Sequence, residues 1–501
     1  MQRTRTPLPF ARTALALCAA SALAACSTLP PYAPPAVAVP AHFAGTASAA
    51  SDAGANGWTT AAPADGAPRG PWWTVYNDAD LNRLEARIDV SNQTVKKAVA
   101  QLQQARAMVD YQRAGFFPTV TAGVAQSRFR TSQNIVGHSL AGKTVPDYST
   151  GIAASWEPDL FGRVRDAVAG ASASTEASAA DLEAVRLSVT ADLAVDYFDL
   201  RSLDTQKKLL DDTVTAYGAA LRLLQQQLHD GAIDASAVAQ AETQLETTRA
   251  QDTDIDVQRA QLQHAIATLT GEPASTFTLP PKVESFAVPA IPAGLPSQLL
   301  ERRPDIAAAE RAMAAANARI GVAKAAFFPS LTLTGSGGFE SETLGDLFQW
   351  SSRTFLLGPF LGTALSMPIF DGGRRKGNLA NARAIYEEDV ANYRQQVLVA
   401  FREVEDNLAS LRILETQTAT QAEAVSASSR AAQLSRTQYT EGQVNYLDVI
   451  DAERTVLQSQ RAAVQLAGTQ AVSTVNLIRA LGGGWGEAIP TPVADPAIAQ
   501  R

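Results

Sequence analysis

The sequence predicts a membrane α+β fold, with very long helices and short two-faced strands set into each of two tandem repeats. Three observations predict it. One pattern occurs twice at a constant offset. Each copy holds a run of about 65 residues without proline. Each copy also holds two short segments in which apolar and small polar residues alternate.

The N-terminus is a processing segment. Residues 1–25 carry Arg3, Arg5 and Arg12 and no acid, then an apolar run from Ala14 to Ala20. That run is too short to span a bilayer, and its charge, length and small-residue ending make it a secretory signal. Leu23-Ala24-Ala25-Cys26 resembles a bacterial lipobox, whose Cys becomes the lipidated first residue. An ordinary cleaved signal with an incidental Cys is the alternative. Ser27 follows the Cys, where an Asp would resemble an inner-membrane retention signal, so the resemblance points to the outer membrane. The chain has two Cys, and Cys18 leaves with the signal. An exported chain with no internal disulfide is held by packing alone. The expected lipid on Cys26 is an N-palmitoyl and an S-diacylglycerol group.

The chain has 42 basic and 50 acidic residues, and losing the three signal arginines takes the net charge to about −11. That disfavours nucleic acid or an anionic surface as partner. His42, His138, His229 and His264 are scattered, with no Cys or carboxylate cluster around them. No catalytic residue, metal site or cofactor is expected. Residues 26–70 are rich in Pro, Ala, Gly and Ser and read as a tether, since they cannot bury enough surface to fold alone. Helical structure is expected after Trp72-Trp73.

The repeat has an offset of 211. Phe116-Phe117-Pro118 recurs as Phe327-Phe328-Pro329, and Leu200-Arg201 as Leu411-Arg412. Leu203, Gly231, Ala241-Glu242 and Gly271 recur at Leu414, Gly442, Ala452-Glu453 and Gly482. Six matches in register make residues 71–280 and 301–484 two copies of one unit. The Pro-rich stretch 281–300 joins them, and 485–501 is a tail. A helical run from about Asp78 to Ala114 precedes the first Phe-Phe-Pro.

The alternating segments read as strands. Leu331, Leu333, Gly335, Gly337 and Phe339 oppose Thr332, Thr334 and Ser336. Ile152, Ala154 and Trp156 oppose Ala153, Ser155 and Glu157, and Leu361, Leu365 and Met367 oppose Gly362, Ala364 and Ser366. This period suits a membrane barrel strand or a half-buried soluble strand. Two strands per copy are too few to close a barrel or build a sandwich, so closure needs several chains. From Arg163 to His229, and from Arg374 to Glu441, there is no Pro. A helix of that length spans about 100 Å. Its apolar residues recur at helical spacing, as in Leu182, Val185, Val189 and Leu193. Gly-centred breaks follow at Gly231 and Gly442, then second runs over about 232–270 and 443–481. An extended coiled-coil scaffold would explain the helices but gives no reason for strand pairs at the same place in each copy.

Several long motifs resemble the TolC/OprM-type outer-membrane factors of tripartite efflux pumps, particularly the NodT-like lipoprotein branch. They are Glu301-Arg302-Arg303-Pro304-Asp305-Ile306, the two Phe-Phe-Pro elements, Glu157 through Arg163, Pro368 through Arg374, and Gln438 through Glu453. The resemblance covers essentially the whole mature chain. It implies a homotrimer whose three chains form one 12-stranded outer-membrane β-barrel. A long periplasmic α-helical barrel would continue below it. The N-terminal arm, the join and the tail would form an equatorial collar. It also implies two protein partners, a periplasmic membrane-fusion adaptor and an inner-membrane RND pump.

By the same resemblance, Gly231, Ala232, Gly442 and Gln443 are tip residues that meet the adaptor. Asp448 and Asp451 match aperture aspartates, three residues apart on one helix face, and Tyr439 matches a position that holds the tip closed. The first copy has Ala237 and Gln240 where the second has Asp448 and Asp451. Val444 and Ala237 depart from members that place Arg and Asp there. A solvated helix face remains the alternative for the aspartates. The implied function is passive conduction of drugs or small molecules, and a type I protein-secretion duct shares the fold. A structural coiled-coil lipoprotein is the alternative of another class.

Overall fold

The computed structural model describes residues 30–37, 40, 43, 70–134, 139, 141–283, 289, 302–357 and 363–483. The signal, Cys26, the tail and most of the tether and the join lie outside the described residues.

Each copy builds a run of helices around short strands. The first helical run, expected as one piece, is broken. A 3-10 turn over Trp72–Tyr76 leads into α1 (Ala79–Glu85), α2 (Ile88–Ser91) and α3 (Gln93–Arg113). Two side chains start helices here, at Asp78 and Asn92, while the start of α2 at Arg87 has no side-chain cap. Asp78 Oδ1 accepts from the amides of Asp80 and Leu81 at 2.8 and 3.0 Å. Asn92 Oδ1 accepts from Val95 N at 2.9 Å and so starts α3.

The remaining elements are β1 (Thr119–Arg130), β2 (Thr144–Trp156), α4 (Arg163–His229), α5 (Ala235–Leu269) and α6 (Pro304–Ala325). Then come β3 (Ser330–Ser341), β4 (Arg353–Leu357), β5 (Thr363–Ser366), α7 (Arg374–Thr440) and α8 (Tyr446–Ala480). The offset of 211 reappears in the element bounds. Helices α4 and α7 have 67 residues each, α5 and α8 have 35 each, and β1 and β3 have 12 each. Three glycine pairs at the same offset have positive φ, at Gly162 and Gly373, Gly231 and Gly442, and Gly271 and Gly482.

The strand-to-helix motifs are caps. Asp159 accepts from the amides of Val164 and Arg165 at the start of α4, while Arg163 makes a two-pronged pair with Glu157 at 3.0 Å. Asp371 does the same for α7, accepting from Gly373 N and Arg375 N. Pro304 sits in the first turn of α6, where its missing N–H has no partner to lose. Along α4, Ser174, Thr175 and Ser178 turn their hydroxyls back to the carbonyls four residues earlier, which satisfies polar groups inside the helix.

The chain divides into two compact units, each drawing on both copies. One comprises 1–35, 102–178 and 309–393, and holds the sheet. Its helices pack through small residues. Ile320, Ala323 and Ala382 form one cluster, and a Cβ on Gly170 would stand 3.3 Å from Ala318 Cβ. The described stretch after Cys26 lies on α6, where Tyr32 donates to Glu310 Oε1 at 2.5 Å and Asn317 donates to Pro30 O at 2.9 Å.

The other unit comprises 36–101, 179–308 and 394–501. Leu203, Leu210, Ile255 and Leu457 form a core cluster across α4, α5 and α8. A Cβ on Gly468 would meet Ser202 Oγ at 2.7 Å, so α8 and α4 approach closely only because that position is Gly. Two polar hubs hold this unit. Arg201 donates to Asp204 Oδ2 and Pro280 O, and Arg259 donates to Asp204 Oδ1 and Leu279 O. Arg303 donates to Asp305, Glu403 and Ala480 O. Asp305 is held below the usual carboxylate range by Arg303, against the opposing effect of its burial.

Candidate functional site

Two places in the chain carry the candidate chemistry: the sheet, and the two Gly-centred turns.

The sheet is antiparallel in the order β1-β2-β3-β4, with β5 also lying along β3, so it is four strands wide. Register decides what each face carries. Val120 faces Ala154, Ala122 faces Ile152, and Val124 faces Thr150. Ile152 in turn faces Gly337, Trp156 faces Leu333, and Thr150 faces Phe339. Gly337 faces Phe355 and Leu331 faces Leu365. Directly opposed residues share a face, so most apolar members of the five strands line up on one side. Most are open to the surroundings, Val124 at 83% and Phe355 at 77% exposure, while Leu331, Leu333 and Phe339 are half-buried. The opposite side carries Thr121, Ser127, Asp147, Ser149, Ser155, Thr332, Thr334, Ser336 and Glu340. Phe129, its partner Val145, and Leu356 are apolar members of that polar side.

Aromatics mark both ends of the apolar face. At the helix end, Trp156 Nε1 donates to Phe116 O at 3.0 Å, and Phe161 stacks on Phe328 at 4.9 Å. At the hairpin end stands Tyr148, and Phe339 meets Phe348 edge-on at 5.9 Å. Both outer strands, β1 on one side and β4 with β5 on the other, have no further strand beside them among the described residues.

The two turns share one backbone design. At the first, Gly231 has φ 73°, its amide donates to Leu228 O, and Ala232 N donates to Gln227 O at 2.8 Å. At the second, Gly442 has φ 74°, its amide donates to Tyr439 O, and Gln443 N donates to Gln438 O at 2.8 Å. This is the paired closure of a helix by a left-handed residue. Gly231, Ala232, Gly442 and Gln443 are all exposed.

The second turn adds side-chain chemistry. Asn445 Oδ1 accepts from Asp448 N at 3.2 Å, and Asp448 Oδ2 accepts from Asn445 N at 3.3 Å. This reciprocal pair is a capping box that starts α8. Asp451 lies one turn on, with Arg454 at 3.3 Å. Both aspartates are exposed. Tyr439 donates to Gln227 Oε1 at 3.1 Å and meets the Tyr446 ring edge-on at 5.3 Å. Burial pushes the Tyr446 hydroxyl up to about 12, with Glu453 and Tyr439 adding to it. Arg436 bridges Glu453 at 2.6 Å. Sequence reasoning did not single out Gln227, Arg436 or the capping role of Asp448. The Asn445-x-x-Asp448 spacing was the signal for the last. Of this set the first copy keeps only Glu242, at the place of Glu453, and Asp234 makes no side-chain cap at the start of α5. Cys26 lies outside the described residues. Among the described residues there is no cluster of three or more His, Cys, Asp or Glu that could hold a metal ion.

Comparisons with known proteins agree with this arrangement. A family model described as "Outer membrane efflux protein" matches residues 86–272 and 295–483, one stretch in each copy. The cation efflux system protein CusC of Escherichia coli is 33% identical over 94% of this chain and 98% of its own length. The toluene efflux pump outer membrane protein TtgF of Pseudomonas putida is 33% identical over 83% of this chain and 85% of its own. Among solved structures, the outer-membrane channel OprN superposes with a TM-score of 0.81 at 29% identity, covering 92% of this chain and all of that one.

Proposed function

The chain belongs to the outer membrane efflux protein family, and we propose that it is the outer-membrane channel of a tripartite RND-type efflux pump. The carrying observation is the two-faced sheet. Its apolar side is largely open, its other side is mostly polar, and among the described residues both its edges end unpaired. In lipid every strand edge must be paired, and four strands cannot close a barrel alone. Three copies supply twelve strands and close one barrel, with Thr, Ser, Asp147 and Glu340 facing the lumen and Val124, Ile152, Phe355 and Leu365 facing lipid. Aromatics at both ends of that face suit the two membrane interfaces.

The helices form the periplasmic tunnel in this reading. Gly231, Ala232, Gly442 and Gln443 form the tips that meet the adaptor, which connects the channel to the inner-membrane pump. Tyr439 holds the resting tip through Gln227 and Tyr446, and Asp448 and Asp451 ring the aperture, six carboxylates in a trimer. A carboxylate ring constricts the passage and favours cations. Cys26 carries the lipid that anchors the arm in the outer membrane. Conduction is passive, and the chain has no catalytic role. Its relatives are named for different passengers, cations for one and toluene for the other, so the passenger is set elsewhere in the pump.

Full-length protein extracted in detergent should migrate as a heat-sensitive trimer and open discrete pores in planar bilayers. A monomer without pores would end this reading.

A further inference from the structure

We infer that the apolar face of the sheet carries a binding site for a phosphorylated glycolipid headgroup, the lipid A of the outer leaflet. Arg128, Arg130 and Arg353 build it. The inference rests on the channel reading above, which turns the hairpin end of the sheet outward and the helix end toward the periplasm.

Register places the three arginines. Arg128 and Arg130 lie on β1 opposite Pro146 and Thr144, on the face of Val120 and Val124. Two residues apart on a strand, they project from the same side about 7 Å from one another. Arg353 faces Phe339, which puts it on that side too. Its guanidinium lies over the Trp350 ring at 4.4 Å and donates to Trp350 O at 2.7 Å. Trp350 is itself 74% exposed.

Charge is sorted between the two faces of the strands. The acids of the strands, Asp147 and Glu340, sit on the polar side. In the hairpin between β3 and β4, Asp346 accepts from Thr343 and Gln349. Among the described residues no carboxylate pairs with Arg128, Arg130 or Arg353. Three cations without counter-ions on a lipid-facing surface are costly in hydrocarbon. At the level of a phosphate layer they are favourable, because guanidinium forks match phosphate oxygens two at a time.

The arginines also sit at the two edges of the sheet, Arg128 and Arg130 on β1 and Arg353 on β4. Closing the barrel sets β4 of one copy beside β1 of the next. Each of the three seams then brings the Arg353 edge of one copy beside the Arg128 and Arg130 edge of the next, and a headgroup bound there spans two copies.

The test uses the full-length trimer in detergent and diphosphoryl lipid A as probe, with binding read by native mass spectrometry. The variant Arg128→Ser/Arg130→Ser/Arg353→Ser should bind lipid A at least about a hundredfold more weakly, since charge-assisted phosphate contacts are the strong ones. Monophosphoryl lipid A should bind the unaltered trimer more weakly than the diphosphoryl form. Equal binding by variant and parent would overturn the inference, and so would displacement by millimolar inorganic phosphate, which would assign the site to free phosphate. If the triple variant does not assemble, Arg128→Ser and Arg353→Ser alone decide, each expected to lose several-fold in affinity. Bilayer recordings separate the two levels of the account. A parent protein without pores fails the channel reading, whereas pores with unchanged lipid binding in the variant fail this inference alone.

Discussion

The turn at Gly231 and the turn at Gly442 have the same backbone and different chemistry. Both close a 67-residue helix through a glycine at φ 73° or 74°. Ile233 and Val444 fill equivalent half-buried positions. Beyond that the copies part. Asn445 and Asp448 cap α8 reciprocally, while Asp234 leaves α5 uncapped. Asp448, Asp451 and Arg454 stand where the first copy has Ala237, Gln240 and Thr243. The two copies share what the backbone needs and differ in side-chain chemistry.

The largest expected effect breaks that asymmetry. In the proposed trimer, where a carboxylate ring would bind cations at the aperture, Asp448→Asn with Asp451→Asn should weaken block of the pore by divalent cations at least tenfold in planar bilayers. Ala237→Ser with Gln240→Ser should leave block unchanged. Equal effects at both turns would erase the distinction.

Next comes the shared backbone. Both glycines have open space around them, so only the left-handed conformation resists a side chain. Gly231→Val and Gly442→Val should each cost about 1–2 kcal/mol and lower the thermal midpoint by similar amounts. A cost confined to one turn would show that the two differ in more than side chains.

The caps should differ by a smaller margin. Asn445→Ala loses the box and about 1 kcal/mol, seen as faster amide exchange over Asp448 and Val449. Asp234→Ala should leave exchange in the first turn of α5 unchanged.

The smallest effect compares Asp196 on α4 with Asn407, its counterpart 211 residues on. Burial, with Asp199 and Asp192 nearby, pushes Asp196 up to about 6. A carboxyl raised in the folded state contributes stability below its unfolded value, near 4, and loses it as pH rises through 6. Asp196→Asn should therefore raise the thermal midpoint at pH 8 and change it little at pH 4. Asn407→Asp should lower it at pH 8. A gain confined to low pH would reverse the assignment.

Much of the fold was legible because the signals were covalent and local. Pro-free runs bounded by Gly gave α4 and α7 to within a residue, and strict alternation gave the faces of β2 and β3. The break at Asn92 was missed because neither Pro nor Gly marks it; a capping side chain does. The hubs at Arg201 and Arg303 were illegible as contacts, since their partners at Pro280, Glu403 and Ala480 lie far along the chain. Alternation also says nothing about register. Only the pairing of Val124 with Thr150, and of Thr150 with Phe339, aligns the apolar sides and brings Arg128, Arg130 and Arg353 onto one face. At the turn, Asp448 was readable as an exposed carboxylate, but its hydrogen bonds to Asn445 emerged only with the helix start.

In the proposed channel, copies of this chain close one barrel, polar inside and apolar outside. Cys18 and Cys26 are its only cysteines, so single introduced cysteines report alone once Cys26 is lipidated. Ser336→Cys lies on the polar face and Val124→Cys on the apolar face. In membranes treated with a charged, membrane-impermeant thiol reagent, Ser336→Cys should be modified and its conductance should fall, while Val124→Cys should stay unmodified. Equal labelling at the two positions, or labelling of Val124→Cys alone, would contradict the account.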